Sequence, residues 1–305
     1  MDIRIATRKS ELALWQANHV ASLLRLLPEI NSITLIPLST KGDQILDTSL
    51  QKIGGKGLFI KELEVAIAEN KADIAVHSMK DMPVKIPTGF RIAATLKRDS
   101  PFDALISRNN QKLIELPEGS IIGSSSLRRQ AQILKIRPDI NVKDLRGNIN
   151  TRLDKLDHEE YDAIVLARAG LERLGLSGRI TETFLPEDML PAAAQGVIGI
   201  ECLSDRRELI AILAQLNNEN SEQTTSAERS VNRDLQATCQ SPIGTYAIIH
   251  EQKCIVESMV SSPDGTKMLR DSIEGNKTET ETLGATLAAR LLENGADDIL
   301  NKALI

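Results

Sequence analysis

Aromatic residues are scarce in this chain: four Phe, two Tyr and one Trp among 305 residues. Its core must be aliphatic, and the stacking platforms that hold single-stranded nucleic acid are excluded. A basic excess is also missing. The formal net charge is -5 and the pI about 5.6, so an anion site must be a local cluster of arginines rather than a general property of the surface. No apolar run reaches the roughly 20 residues that span a bilayer. The opening MDIRIATRKS carries Asp2, Arg4, Arg8 and Lys9 and lacks the apolar stretch of a secretory signal. A cytoplasmic location is expected, with neither nucleic acid nor membrane as partner. The three cysteines, Cys202, Cys239 and Cys254, match no zinc or thioredoxin spacing, and a disulfide framework is not expected in a chain this long. The four histidines, at 19, 77, 158 and 250, are scattered, so no metal site is expected.

What is present is an ordinary globular balance, 41% hydrophobic and 26% charged. The length suggests about two or three domains. Ala13, Ala17, Val20, Leu24 and Leu27 fall on one face of a helix predicted from Ser10 to Leu27, with Pro28 just beyond. Strand-like and helix-like segments alternate through the first two-thirds of the chain, which predicts parallel or mixed sheets covered by helices. The last third differs. A polar helix near Ser221–Leu235 precedes three strands, with Pro263, Asp264 and Gly265 as a turn, and then a helix from about Glu279 to Leu292. That order predicts a small α+β domain.

Three stretches carry chemistry. In Gly123-Ser124-Ser125-Ser126-Leu127-Arg128-Arg129 a strand gives way to a helix. Unpaired N–H groups and a positive dipole end meet two guanidiniums there, which bind carboxylates in a bidentate fork. Arg146, Arg152 and Arg173 follow further strand ends, where open α/β sheets bind ligands. A lone helical arginine is ordinarily a solvated cation; repetition beside Gly and Ser at strand ends points to a site. In His77-Ser78-Met79-Lys80-Asp81-Met82-Pro83, Asp81 sits after a strand and before a proline. One carboxylate there suits stabilising a cation or moving a proton, although an Asp in a loop is commonly a turn former. Cys239 lies between a helix and a strand among turn residues, where its thiolate is accessible for a covalent group. Cys202 and Cys254 lie in strand-like runs and read as packing. Gly54-Gly55-Lys56-Gly57-Leu58-Phe59 is similar to a phosphate loop only superficially, because the spacing and the terminal Lys-Ser/Thr are missing; a flap ahead of a helix fits better.

These stretches resemble, in order and context, those of the porphobilinogen deaminase (hydroxymethylbilane synthase) family. The runs ATRKSELALWQA, GGKGLFIKELE, HSMKDMP, GSSSLRRQAQI, DLRGNINTRL, ARAGLERLG and PAAAQG carry the resemblance over about residues 1 to 245. It implies an α/β protein of three domains. Two are periplasmic-binding-protein-like, with mixed sheets and a cleft between them: 1–96 with 198–215, and 97–197. The third, 216–305, is a small α+β domain with a three-stranded antiparallel sheet. The resemblance implies a transferase of porphyrin biosynthesis. It would condense four porphobilinogens head to tail on a dipyrromethane cofactor held by a thioether to Cys239, release ammonia, and free hydroxymethylbilane by hydrolysis. Asp81 would be catalytic, stabilising an azafulvene-like cation. Lys80, Asp81, Ser78, Ser124, Ser126, Arg128, Arg129, Arg146 and Gly170 would contact the cofactor. Arg8, Ser10, Arg146, Arg152, Arg173 and Gln195 would bind substrate, and Lys56 and Phe59 would belong to the flap. A monomer is expected.

The chain departs from the family pattern at Ala237 and Thr238, where small residues, mostly glycines, usually precede the cysteine. It departs again at Ser241, usually β-branched, and at Phe102, commonly arginine. An anion-binding clamp without chemistry is the alternative reading; a placed Cys239 and Asp81 count against it.

Overall fold

A computed structural model describes residues 1–40, 60–238 and 240–303. The chain falls into two compact units, 1–99 with 197–222, and 100–196 with 223–305.

The first unit is built on a five-stranded sheet. β1 (Asp2–Arg8) leads to α1 (Glu11–Leu24), β2 (Ser32–Leu38), α2 (Lys61–Ala68), β3 (Ile74–Ser78) and β4 (Phe90–Thr95). The sheet order is β2-β1-β3-β10-β4, where β10 (Ile198–Leu203) comes from late in the chain. β1 runs parallel to β2 and β3, whereas β10 runs antiparallel to β3 and β4. The sheet is therefore mixed. Ile3 and Ile5 of β1 pack with Ala17, Val20 and Leu24 of α1, and with Ile200 and Cys202 of β10. Each fully buried branched aliphatic side chain contributes about 1.5–3 kcal/mol, and the one aromatic ring packed against this cluster among the described residues is the half-buried Trp15. α1 stops earlier than its apolar spacing predicts. Beyond Arg25 the chain tightens, Leu26 N–H donating to Leu23 O and Leu27 N–H to Leu24 O, so Leu27 follows the helix rather than ending it.

The second unit has its own five-stranded sheet. β5 (Asp103–Ser107), β6 (Ile121–Gly123), α3 (Leu127–Ile136), β7 (Asn141–Lys143), α4 (Ile149–Asp157), β8 (Ala163–Ala167), α5 (Arg168–Arg173) and β9 (Glu182–Thr183) follow one another. Their sheet order is β7-β6-β8-β5-β9. β6 lies parallel to β7 and β8, and β5 antiparallel to β8 and β9.

After β10 come α6 (Arg207–Ala214) and α7 (Glu219–Asp234). β11 (Ile243–His250), β12 (Lys253–Ser261) and β13 (Met268–Asn276) then form a three-stranded antiparallel sheet. α8 (Thr280–Glu293) and α9 (Ala296–Ala303) close the chain. Val231 and Leu235 pack with Leu287 and Leu291 of α8, and with Cys254 and Val256 of β12. The α/β alternation, the mixed sheets and the small antiparallel sheet are those the sequence predicts. α9, which has no counterpart in the expected elements, follows Gly295, whose φ of +90° separates the two helices. Among the described residues no helix is long and apolar enough to cross a membrane.

Candidate active site

In the first unit the expected site residues sit where parallel strands end. Arg8 is the last residue of β1, and Ser10 accepts a hydrogen bond from Ala13 N–H as the N-cap of α1. β3, parallel to β1, ends at Ser78 and runs into a single tight turn, Met79–Asp81. Met79 is buried, which anchors the turn, while Asp81 is exposed at its end and Lys80 is half-buried. Ser78 Oγ accepts from Gln16 Nε2 at 2.8 Å, tying the end of β3 to α1. His77, one residue earlier, is buried and bonded at 2.9 Å to Glu201 on β10. The antiparallel register sets Ile198 opposite Ser78.

In the second unit the arginines likewise follow parallel strands. β6 leads through Ser124 and Ser126 to Arg128 and Arg129 on α3. β7 leads to Arg146 and on to Arg152 on α4, and β8 leads to α5, with Gly170 and Arg173. All three strand ends lie on the same edge of one sheet, because β6, β7 and β8 are mutually parallel. Ser126 occupies the N-cap position of α3 without a side-chain capping bond; Ser124 Oγ accepts from Ser126 N–H instead. Asn148 caps α4 through Thr151 N–H. Arg146 and Arg152 are half-buried, and Arg152 Nε donates to Gly147 O at 2.8 Å, which holds that side chain against its own loop.

Arg128, Arg129, Arg173 and Gln195 are buried. Asp103, fully enclosed at the start of β5, organises three of them. Its Oδ2 accepts from Arg128 Nη1 at 2.7 Å, and its Oδ1 from Arg129 Nη2 at 2.7 Å and Gln195 Nε2 at 3.0 Å. Burial opposes ionisation of Asp103, but the two guanidiniums outweigh it and hold the carboxyl far below the usual carboxylate range. Arg173 Nη2 donates to Gly196 O at 2.8 Å. These side chains are thus locked in place, the condition for a preorganised anion site. Sequence reasoning missed Asp103, Glu201 and Glu228. For Asp103 and Glu201 the one signal was a carboxylate inside an apolar strand, which a strand prediction treats as an edge rather than an organiser; Glu228 lies in the polar helix Glu219–Asp234 and gave none.

Phe102 packs its ring on Tyr246 of β11, centroids 6.1 Å apart and tilted by 60°. Cys202 and Cys254 are buried, and burial pushes both thiols up to about 11. Cys239, Lys56 and Phe59 lie outside the described residues.

Several solved structures share a broad likeness with the chain. The periplasmic domain of BvgS from Bordetella pertussis matches at 14% identity and a TM-score of 0.41, over 70% of this chain but only 39% of that one. A probable amino-acid ABC transporter extracellular-binding protein, ytmK from Bacillus subtilis, matches at 12% identity and 0.41, covering 71% of this chain and 90% of that one. A TRAP periplasmic solute binding protein from Desulfovibrio salexigens matches at 10% and 0.43, covering 73% and 74%. Two family models match along the sequence. Residues 3–211 match "Porphobilinogen deaminase, dipyromethane cofactor binding domain", and residues 222–293 match "Porphobilinogen deaminase, C-terminal domain". Together they span nearly the whole chain, which belongs to the porphobilinogen deaminase family of tetrapyrrole biosynthesis, whose cofactor is dipyrromethane.

Proposed function

We propose that this chain is a hydroxymethylbilane-forming transferase. It condenses four porphobilinogen molecules head to tail onto a dipyrromethane bound through a thioether to Cys239, releasing ammonia at each addition and then hydroxymethylbilane by hydrolysis. The observation that carries this reading is the arginine edge of the second sheet. Arg128, Arg129, Arg146, Arg152 and Arg173 all follow the ends of three parallel strands. Porphobilinogen brings two carboxylates, so a growing chain accumulates negative charge, and several guanidiniums answer that need better than one or two.

The donor set fits the cofactor, because guanidiniums and hydroxyls meet the carboxylates a dipyrromethane carries. When bound, that group supplies the primer on which pyrroles are added. Arg128, Arg129 and Arg146, with Ser124, Ser126 and the Gly170 backbone, would hold it. The family resemblance assigns Ser78, Lys80 and Asp81 to the cofactor as well. Arg8, Ser10, Arg146, Arg152, Arg173 and Gln195 would orient incoming substrate by its acetate and propionate groups. Asp81, exposed at the end of its turn, would accept hydrogen bonds from pyrrole N–H and stabilise the positive charge that develops as the C–N bond of porphobilinogen breaks and ammonia leaves. Electron donation by the pyrrole ring lowers the same barrier, so one carboxylate suffices for the protein's share. Division into three domains, 1–96 with 198–215, 97–197 and 216–305, belongs to the same reading.

Intact mass of the denatured protein tests the proposal. Wild type should be heavier than its sequence by one dipyrromethane, and Cys239→Ser should carry no addition. An unmodified wild type that also stays unmodified after incubation with porphobilinogen or hydroxymethylbilane would remove both the cofactor anchor and the transferase reading.

A further inference from the structure

The segment Leu190–Gly196 bonds two of the arginines assigned above directly and meets a third through Asp103. Leu190 O accepts from Arg128 Nη1 at 2.8 Å. Gln195 shares Asp103 Oδ1 with Arg129 and also donates to Pro101 O at 2.7 Å. Gly196 O accepts from Arg173 Nη2. Within this segment Ala194 holds a left-handed backbone, φ +59°, which a non-glycine residue adopts only when its surroundings impose it.

The Ala194 peptide is bonded to Glu228 on α7, which is fully buried. Its Oε2 accepts from Ala194 N–H, and its Oε1 accepts from Ala247 N–H of β11 at 2.7 Å. One carboxylate therefore spans two backbone donors, one in the arginine-bearing segment and one in the C-terminal sheet. Thr245 N–H, which donates to Pro191 O at 2.9 Å, joins the same two elements. We propose that Glu228 is a positioning residue. It fixes the strained Ala194 peptide, and through Gln195 and Asp103 it sets the orientation of Arg128 and Arg129 towards substrate carboxylates. This inference rests on the carboxylate-binding role given to those arginines, and it adds a residue that touches neither substrate nor cofactor.

A glutamine at 228 keeps the shape but presents an NH2 to one of two N–H donors, leaving that donor unsatisfied. Hydrogen–deuterium exchange and steady-state kinetics on the purified full chain test the link. Glu228→Gln should speed exchange in both 190–196 and 127–136. It should also raise KM for porphobilinogen about tenfold, the size expected for one buried donor deprived of its acceptor, with kcat changed by less than about twofold. Leu287→Ala, which opens the C-terminal core away from this segment, should lower the melting temperature without either change. Gln195→Ala breaks the next link and should reproduce both effects, and should add nothing when combined with Glu228→Gln; it also carries the comparison if Glu228→Gln does not fold. Unchanged exchange in 127–136, an unchanged KM, additive effects of the two variants, or equal effects of Leu287→Ala would each overturn the proposal. If wild type itself does not consume porphobilinogen, the functional reading fails, while the exchange comparison still decides whether Glu228 governs α3.

Discussion

Arg129 grips a single oxygen of Asp103 from two sides, Nε at 3.0 Å and Nη2 at 2.7 Å, while its third nitrogen donates to Val165 O at 2.9 Å. Arg128 takes the other oxygen. The carboxylate is inaccessible to water, so its charge is compensated by these partners and not by solvent.

Stability should follow the ionisation of Asp103. Its folded pKa lies far below its unfolded value because Arg128 and Arg129 outweigh the burial that opposes charge. A depressed carboxylate contributes stability that is fully present above the unfolded value of about 4 and is lost progressively as pH falls below it. Urea midpoints should thus be flat in this contribution from pH 5 to 7 and fall below pH 4. Asp103→Asn should lose about 3–5 kcal/mol at pH 7, as expected when one partner of a buried pair is removed. It should also show a shallower acid dependence than wild type. An equal acid slope in the variant would detach Asp103 from the effect.

Asp81 is exposed at the end of the Met79–Asp81 turn, so Asp81→Asn should change the urea midpoint little, within about 0.5 kcal/mol. Turnover of porphobilinogen should nevertheless fall by about 100-fold or more, the scale of losing a charge-stabilising group. Wild-type-like turnover would remove Asp81 from the chemistry.

Arg146 and Arg152 follow β7 and are half-buried. Arg146→Ala and Arg152→Ala should fold but stall, either unloaded or with a partly extended chain. Native mass spectrometry after porphobilinogen addition should show discrete trapped intermediates. Normal elongation in both variants would limit the carboxylate role to Arg128, Arg129 and Arg173.

The buried thiols of Cys202 and Cys254, raised to about 11, should resist alkylation at pH 8 in the folded protein, because thiolate is the reactive form. In cofactor-free protein Cys239 should be the position modified by iodoacetamide, as read by peptide mapping, and cofactor loading should protect it. Rapid native alkylation of Cys202 or Cys254 would contradict their packing in the strands.

Gly265, at the turn between β12 and β13, has φ +72°, and a Cβ there would lie 2.3 Å from the carbonyl oxygen of Ala131 on α3. The hairpin tip is thus seated on the helix that carries Arg128 and Arg129. Gly265→Ala should cost more than about 1 kcal/mol, from left-handed strain and from the backbone clash together. A melting temperature equal to that of wild type would show that the hairpin can lift away without penalty.

The sequence by itself determined the elements and the chemistry-bearing residue types. Apolar spacing marks α1, and the turn at Pro263-Asp264-Gly265 marks the β12–β13 hairpin. The Ser-Arg-Arg run marks a strand passing into a helix. These are local properties, governed by side-chain period and backbone preference. Tertiary structure alone decided which groups are shared. β10 inserts between β3 and β4 from more than a hundred residues away, a pairing that no local pattern encodes. Nothing within the run Asp103–Ser107 announces that Asp103 accepts from Arg128, Arg129 and Gln195, because those partners arrive from separate segments of the chain. A charge held without water needs partners converging from several directions, and only the folded chain brings them to one point.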